Sequence, residues 1–270
     1  MTQSSNKITI DGRAVCFQPG QTIMEAATEA SVYIPHLCHH PDYPPHGSCK
    51  VCTVKVDGRY LASCSEKAVD GMEVQNNCKD LKDLRRSITQ LLFVDGNHYC
   101  PSCERSGNCQ LQAIGYALEM QENHYTQLFP TRKVDASHPD IILDPDRCIL
   151  CGLCVRASEA EGKNLFKIGG RGQNSYLSVC SDSGLLGDSS ISVNDKAAQI
   201  CPVGAILIRG EGFHIPIGER LYDHQQITSV GNCRPRYNHS TSNLTERKKR
   251  EGPEHSKPIN LTTGKHTNGK

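Results

Sequence analysis

The chain has 270 residues, 15 cysteines, no tryptophan and a formal net charge of +1. That length leaves room for more than one small domain, and near-neutral charge argues against a general nucleic-acid-binding role. The odd cysteine count, clustered at two-residue gaps, comes without a long apolar run or a signal-peptide core in "MTQSSNKITIDG". It points away from a disulfide scaffold or membrane insertion and toward metal or cluster ligation in a cytoplasmic protein.

In "KITIDGRAVCF" two short alternating stretches flank Asp11-Gly12, which predicts a hairpin with Cys16 in its core. "TIMEAATEA" follows, with Ile23, Ala26, Ala27 and Ala30 on one helical face. "CTVKVDGRYLASC" repeats the hairpin device around Asp57-Gly58, and "GMEVQ" is expected to add an edge strand. Residues 1–78 thus read as a mixed sheet with one packed helix.

In "KDLKDLRRSITQLLF", Leu81, Leu84, Ile88, Leu91 and Leu92 recur at helical spacing opposite a charged face, predicting a scaffold helix. It delivers the chain to a cysteine loop, "GNHYCPSCERSGNC", after which "CQLQAIGYALEM" reads as a second helix. Residues 79–125 form a short helical domain on this reading, and residues 138–222 a third domain running from "DRCILCGLC" to "ICPVGAIL". The stretch 223–270 is polar and aperiodic, so a disordered tail is expected, its "ERKKR" run at 246–250 read as a solvated charge run. Sequons at Asn238, Asn243 and Asn260 carry little weight.

Three cysteine groups carry the chemistry. The first, Cys38, Cys49, Cys52 and Cys64, follows C-x10-C-x2-C-x11-C, and four thiolates suit either zinc or a 2Fe-2S cluster. Gly47 and Ser48 behind Pro44 and Pro45 make a turn-rich loop whose backbone N–H groups can point at bridging sulfides, which favours the cluster over structural zinc. The second group, Cys100, Cys103 and Cys109, lacks a fourth cysteine nearby. His98 is the local candidate, His124 and Cys78 the remote ones, and three thiolates with one imidazole would also suit zinc. In the third, Cys148, Cys151 and Cys154 match the first three ligands of a bacterial ferredoxin run, but Ser158-Glu159 replaces its Cys-Pro. Cys201-Pro202 supplies the missing pair downstream, as expected where one four-iron cluster of a two-cluster template survives. Cys16, Cys78, Cys180 and Cys233 are left as structural or incidental. "KIGGRGQNS" has the wrong spacing for a dinucleotide fingerprint, so neither NAD nor flavin is expected on this chain.

The order of these motifs, with "YIPHLC", "GNHYCPSCERSGNCQLQAIGY", "DRCILCGLC" and "ICPVGAIL", resembles the N-terminal part of the large iron-sulfur subunit of respiratory complex I. It resembles more closely the small diaphorase subunits of bidirectional NAD-reducing NiFe hydrogenases, over about residues 7 to 222. The resemblance implies an α+β chain with three parts. These are an N-terminal β-grasp 2Fe-2S ferredoxin-like domain, a short helical 4Fe-4S domain ligated by one histidine and three cysteines, and a C-terminal bacterial-ferredoxin-like 4Fe-4S domain. It further implies electron transfer between a flavin (FMN) NADH-binding diaphorase subunit and the small and large NiFe hydrogenase subunits. In the complex I relatives the ligating histidine stands four residues before the first loop cysteine, a position held here by Gly96, whereas His98 resembles the ligand of the hydrogenase subfamily. The rival readings are the equivalent subunit of an NAD-dependent formate dehydrogenase or complex I-like NADH dehydrogenase, and, from another class, a zinc-stabilised binding module.

Overall fold

The computed structural model describes residues 6–232. Cys233, the "ERKKR" run and the three sequons lie outside the described residues.

Strands β1 (Lys7–Ile10) and β2 (Arg13–Cys16) pair antiparallel, Ile8 opposite Val15. Asp11 and Gly12 take φ of +49° and +81°, the left-handed pair that a two-residue hairpin turn requires. The strand alternation turns Val15 and Phe17 inward and leaves Cys16 exposed, which corrects its expected place in the core. Helix α1 (Ile23–Glu29) begins with a capping box: Thr22 Oγ1 accepts from the Glu25 N–H at 3.2 Å and Glu25 Oε2 accepts from the Thr22 N–H at 2.6 Å. It buries Ile23, Met24, Ala26 and Ala27.

Strands β3 (Thr53–Val56) and β4 (Arg59–Ala62) form the second hairpin, with Asp57 and Gly58 again left-handed. Strand β5 (Glu73–Gln75) runs parallel to β1 and antiparallel to β3, giving the order β2-β1-β5-β3-β4. The expected edge strand is therefore the central one. Three residues are enough because ladder bonds on both sides hold them and Val74 is buried between the two hairpins.

Helix α2 (Lys79–Val94) lies where its periodicity places it, but turned from the expected face. Its buried residues are Leu81, Arg85, Thr89, Gln90 and Val94, while Leu91 is exposed and Leu84, Ile88 and Leu92 are half-buried. Arg85 sets that rotation. Its guanidinium donates to the carbonyls of Thr53 and Asn76 and to Asn76 Oδ1 over 2.7–3.1 Å, satisfying a buried charge and fastening the helix to the sheet. After the cysteine loop, α3 (Gln110–Ala117) packs beside α2.

The remaining elements are β6 (Ile141–Leu143), α4 (Leu153–Ala160), the hairpin β7 (Phe166–Gly169) and β8 (Tyr176–Val179), α5 (Lys196–Gln199) and β9 (Ile206–Ile208). Strand β6 pairs with β9, Ile141 opposite Ile208. Asp135 exchanges backbone bonds with Leu143, so this region begins before the expected residue 138. "KIGGRGQNS" is the β7–β8 hairpin and its turn. Residues 223–232, expected in the tail, are folded: α6 (Ile227–Val230) packs on α3 and buries Ile227, an apolar residue masked in the sequence by its polar surroundings.

Two apolar clusters result. The smaller joins the N-terminal sheet to α1 and includes Cys52 and Cys64; the larger joins α3 to the C-terminal region and takes in Cys38, Cys49, Cys109, Cys151, Cys154 and Cys201. The first cysteine group thus straddles both. No helix of the described residues is long and apolar enough to cross a membrane.

Candidate metal centres

The loop from Cys38 to Cys52 leaves the small core, turns through Gly47 and Lys50, both at positive φ, and returns into β3. All four sulfurs of the first group are brought together. Cys38 accepts hydrogen bonds from the thiols of Cys49 and Cys64, then from the Cys49 backbone N–H and the Ser48 side chain, which holds its thiol far below the usual range. Cys52, beside the Cys64 sulfur, is lowered to about 7, while the neighbouring sulfurs and burial push Cys49 and Cys64 up. Ser63, beside Cys64, donates to the Cys52 carbonyl at 2.8 Å and so closes the distal end of the loop onto the proximal one.

The second group sits between the C-terminus of α2 and the N-terminus of α3. A short turn at Cys100–Ser102 presents Cys100 and Cys103, and Cys109 immediately precedes α3. His98 joins them: the lining of one pocket includes His98, Cys100, Cys103 and Cys109, and it encloses about 320 Å³ with its mouth. The ring hydrogen-bonds the Leu92 carbonyl, and Nε2 is buried without a partner. A buried imidazole nitrogen with no partner is costly unless something coordinates it. Burial holds the ring neutral, lowering its pKa to about 4, the state a ligand needs, and the carbonyl bond through the other nitrogen orients the ring. The remote candidates fall away. His124 is exposed beside Glu122, and Cys78 stands before the first turn of α2, a 16-residue helix that carries the chain away from it by roughly 24 Å.

Gly96, the alternative histidine position, has no room for a side chain. A β-carbon there would lie 2.8 Å from His98 Nε2 and would also collide with the Asp146 carbonyl.

In the third group Leu150 and Gly152 take positive φ, which folds "CILCGLC" around its own amides before α4 starts. The backbone N–H groups of Leu150, Leu153 and Val155 donate to Cys148, Cys151 and Cys154 respectively. Cys201 arrives from the far side between α5 and β9, and the four sulfurs line a second pocket, of about 330 Å³ with its mouth. Burial raises the Cys148 thiol to about 11, Cys109 in the second group to about 12, and Cys151 and Cys154 above their ordinary values. Thiols held neutral by burial become thiolates once a cationic group shares the cavity. Among the described residues no three His, Cys, Asp or Glu side chains converge on the position of a single metal ion. In the second and third groups they surround a cavity instead, which suits a multinuclear group.

Two arginines without a motif of their own lie at the junctions. Arg156 of α4 donates to the Cys38 carbonyl at 2.5 Å, the Pro44 carbonyl at 2.7 Å and, at longer range, the Gly152 and Cys151 carbonyls, joining the first and third ligand loops. Arg147 Nη1 lies 3.6 Å from Cys103 Sγ, and the Gln110 N–H donates to the Pro202 carbonyl at 3.0 Å, joining the third to the second. A β-carbon at Gly204 would stand 3.1 Å from the same sulfur, a tight contact that glycine avoids where the Cys201 loop approaches. Asn232 ties the C-terminal segment across, donating to the His36 carbonyl at 2.7 Å and to Gln110 Oε1 at 3.0 Å. Only adjacency to a ligand cysteine could have pointed to Arg147; Arg156 and Asn232 had no local signal.

Comparison with known proteins places a 2Fe-2S iron-sulfur cluster binding domain at residues 4–78, an NADH-ubiquinone oxidoreductase-G iron-sulfur binding region at 85–124 and a 4Fe-4S single cluster domain at 141–208. The chain is 41% identical over 225 residues to the NAD-reducing hydrogenase HoxS subunit gamma of Cupriavidus necator, covering 83% of this chain and 95% of that one. It is 32% identical to the NADPH-Fe(3+) oxidoreductase subunit alpha of Geobacter sulfurreducens over 74% of its length, but spans only 24% of that longer protein. Among solved structures, a chain of an NAD+-reducing NiFe-hydrogenase in the H2-reduced state matches with a TM-score of 0.83 and 49% identity, covering 85% of this chain and 98% of that one.

Proposed function

The chain belongs to the family of gamma subunits of NAD-reducing hydrogenases, an iron-sulfur electron-relay component of an oxidoreductase complex, and on that premise we propose its ligand sets and partners. Cys38, Cys49, Cys52 and Cys64 hold one 2Fe-2S cluster; His98, Cys100, Cys103 and Cys109 hold a 4Fe-4S cluster; Cys148, Cys151, Cys154 and Cys201 hold a second. The bound clusters supply sites that accept and release one electron each. What the chain itself does is position, shield and tune those sites. The reading of the first region as β-grasp is supported by its mixed sheet, central parallel pair and single packed helix.

The observation that carries the proposal is His98, which lines one pocket with three cysteines and whose Nε2 is buried without a partner. A lone exposed histidine would carry nothing. Two cavities, each lined by a full set of four candidate ligands, support a multinuclear group at each. The contacts at the junctions support an order in space in which the third set lies between the first and the second. The chain order of the motifs and the order of the relay therefore differ.

The proposed partners are a flavin (FMN) NADH-binding diaphorase subunit on one side and the NiFe hydrogenase small and large subunits on the other, in the cytoplasm. Iron, acid-labile sulfide and zinc per chain, measured on the anaerobically purified subunit freed of its iron-bearing hydrogenase partners, test the proposal. About ten irons with matching sulfide are expected for one two-iron and two four-iron sites. Little iron with about three zincs would sink it in favour of a zinc-stabilised module.

A further inference from the structure

We infer that Arg147 sets the reduction potential of the His98 site, through its guanidinium contact with the sulfur of Cys103. The inference rests on the reading of His98, Cys100, Cys103 and Cys109 as a four-iron site and adds to it a residue that is not a ligand.

Arg147 ends a short turn, Pro145–Arg147, whose shape is fixed locally. Pro145 restricts the first backbone angle, and Asp144 accepts from the Asp146 N–H at 3.1 Å. The same Asp144 accepts from Arg147 Nε at 2.8 Å, and its own N–H donates to the Ala205 carbonyl at 2.7 Å, beside the Cys201 loop. On the far side of the guanidinium, Nη1 donates to Glu104 Oε2 at 2.6 Å and lies 3.6 Å from Cys103 Sγ. The side chain is mostly buried and forms part of the wall of the second-group pocket together with the four candidate ligands. A flexible surface arginine would not be held by two carboxylates in one orientation against a sulfur.

The charge on Arg147 is permanent, so its effect is electrostatic and does not depend on pH. Reduction adds negative charge to the site. A cation and an N–H donor at a ligand sulfur stabilise the reduced form over the oxidised one and move the potential upward. Glu104, the next residue along the loop, and Asp144 both oppose this, so what Arg147 adds at Cys103 is the N–H directed at the sulfur together with a cation that offsets one of two close carboxylates. The imidazole of His98 acts in the same direction as Arg147, because it replaces an anionic ligand with a neutral one. Both devices lie on this second site. The Arg156 bonds at the first and third loops end on carbonyl oxygens instead.

EPR-monitored redox titration of the intact complex, purified without oxygen, tests this with Arg147→Gln. The second site should remain assembled with its midpoint shifted negative by at least a tenfold change in the reduction equilibrium, about 59 mV for one electron. The shift at the third site should be smaller. An assembled site with an unchanged midpoint would overturn the inference. Should Arg147→Gln prevent assembly, Glu104→Gln decides: with Asp144 left as its one carboxylate partner, the guanidinium should move the midpoint positive, and no movement overturns the inference equally. Absence of the second signal from the unmodified complex would remove the cluster reading itself, and the inference with it.

Discussion

Arg156 and Cys38 are 118 residues apart in sequence, yet the guanidinium of one donates to the backbone carbonyl of the other at 2.5 Å. Through that bond and its neighbours at Pro44, Cys151 and Gly152, one side chain of α4 holds two ligand loops in register. On the proposed ligand sets, this fork ties the first and third sites together across a long stretch of connecting chain.

Arg156→Ala should leave both loops folded but loosely joined. The lost charged hydrogen bonds predict destabilisation of about 2 kcal/mol, read as a lower midpoint of thermal inactivation of the complex. Electron transfer between the two sites should slow while the iron content stays the same. An unchanged rate would mean that the shared apolar core alone fixes the distance.

Gly96→Ala should weaken the second site even though Gly96 ligates nothing. Its β-carbon would meet the Asp146 carbonyl and the His98 ring, and overpacking of this kind costs about 1–3 kcal/mol. Moving the histidine, as Gly96→His with His98→Gly, should not restore the site, because the backbone oxygen of Asp146 obstructs position 96 whatever occupies 98. Iron per chain and the EPR signal of the second site are the readouts.

His98→Cys should keep a four-iron site and lower its midpoint by at least tenfold in the reduction equilibrium, about 59 mV, since an anionic thiolate replaces a neutral imidazole. His98→Ala should lose the site. A His98→Cys complex with an unmoved midpoint would indicate that the imidazole is not a ligand.

Asp223 accepts from the Arg220 side chain and from the N–H groups of Gly218 and Arg220, which together hold its carboxyl down to about 2. The pair anchors Leu221 and Tyr222, whose N–H groups donate to Asn108 Oδ1 and the Gly107 carbonyl of the second cysteine loop. Asp223→Asn should cost about 1 kcal/mol, seen as roughly fivefold faster hydrogen exchange at those two amides. A carboxyl depressed in the folded state stabilises above its unfolded value of roughly 3.9 and ceases to as pH falls through the folded one. The difference from the unmodified chain should therefore be constant between about pH 5 and 8 and shrink from about pH 4 down to about 2.

Local chemistry made much of this protein legible. Asp11-Gly12 and Asp57-Gly58 announce their hairpins because few residue pairs adopt two successive left-handed conformations, and "TIME" at 22–25 encodes a helix start through its capping-box spacing. The spacing of "CILCGLC" binds three sulfurs to one short loop, so the third group needed only a distant Cys-Pro to complete it. Proximity in sequence likewise favoured His98.

Other features depend on contacts that no local pattern carries. The three-residue strand at Glu73–Gln75 is central because two hairpins meet on it, and α2 turns toward Arg85 because buried carbonyls of Thr53 and Asn76 need donors. Cysteine spacing names the members of each set; it says nothing about the distance between sets. Contacts between segments far apart in the chain bear on that distance: the shared apolar core, the Arg156 and Arg147 bonds, and the close approach at Gly204. Sequence alone singled out the candidate ligands, since ligand chemistry is a property of residue type and short-range spacing. Tertiary structure decided which cysteine groups are neighbours and that a guanidinium stands at the Cys103 sulfur, since both follow from packing between segments that the chain order keeps apart.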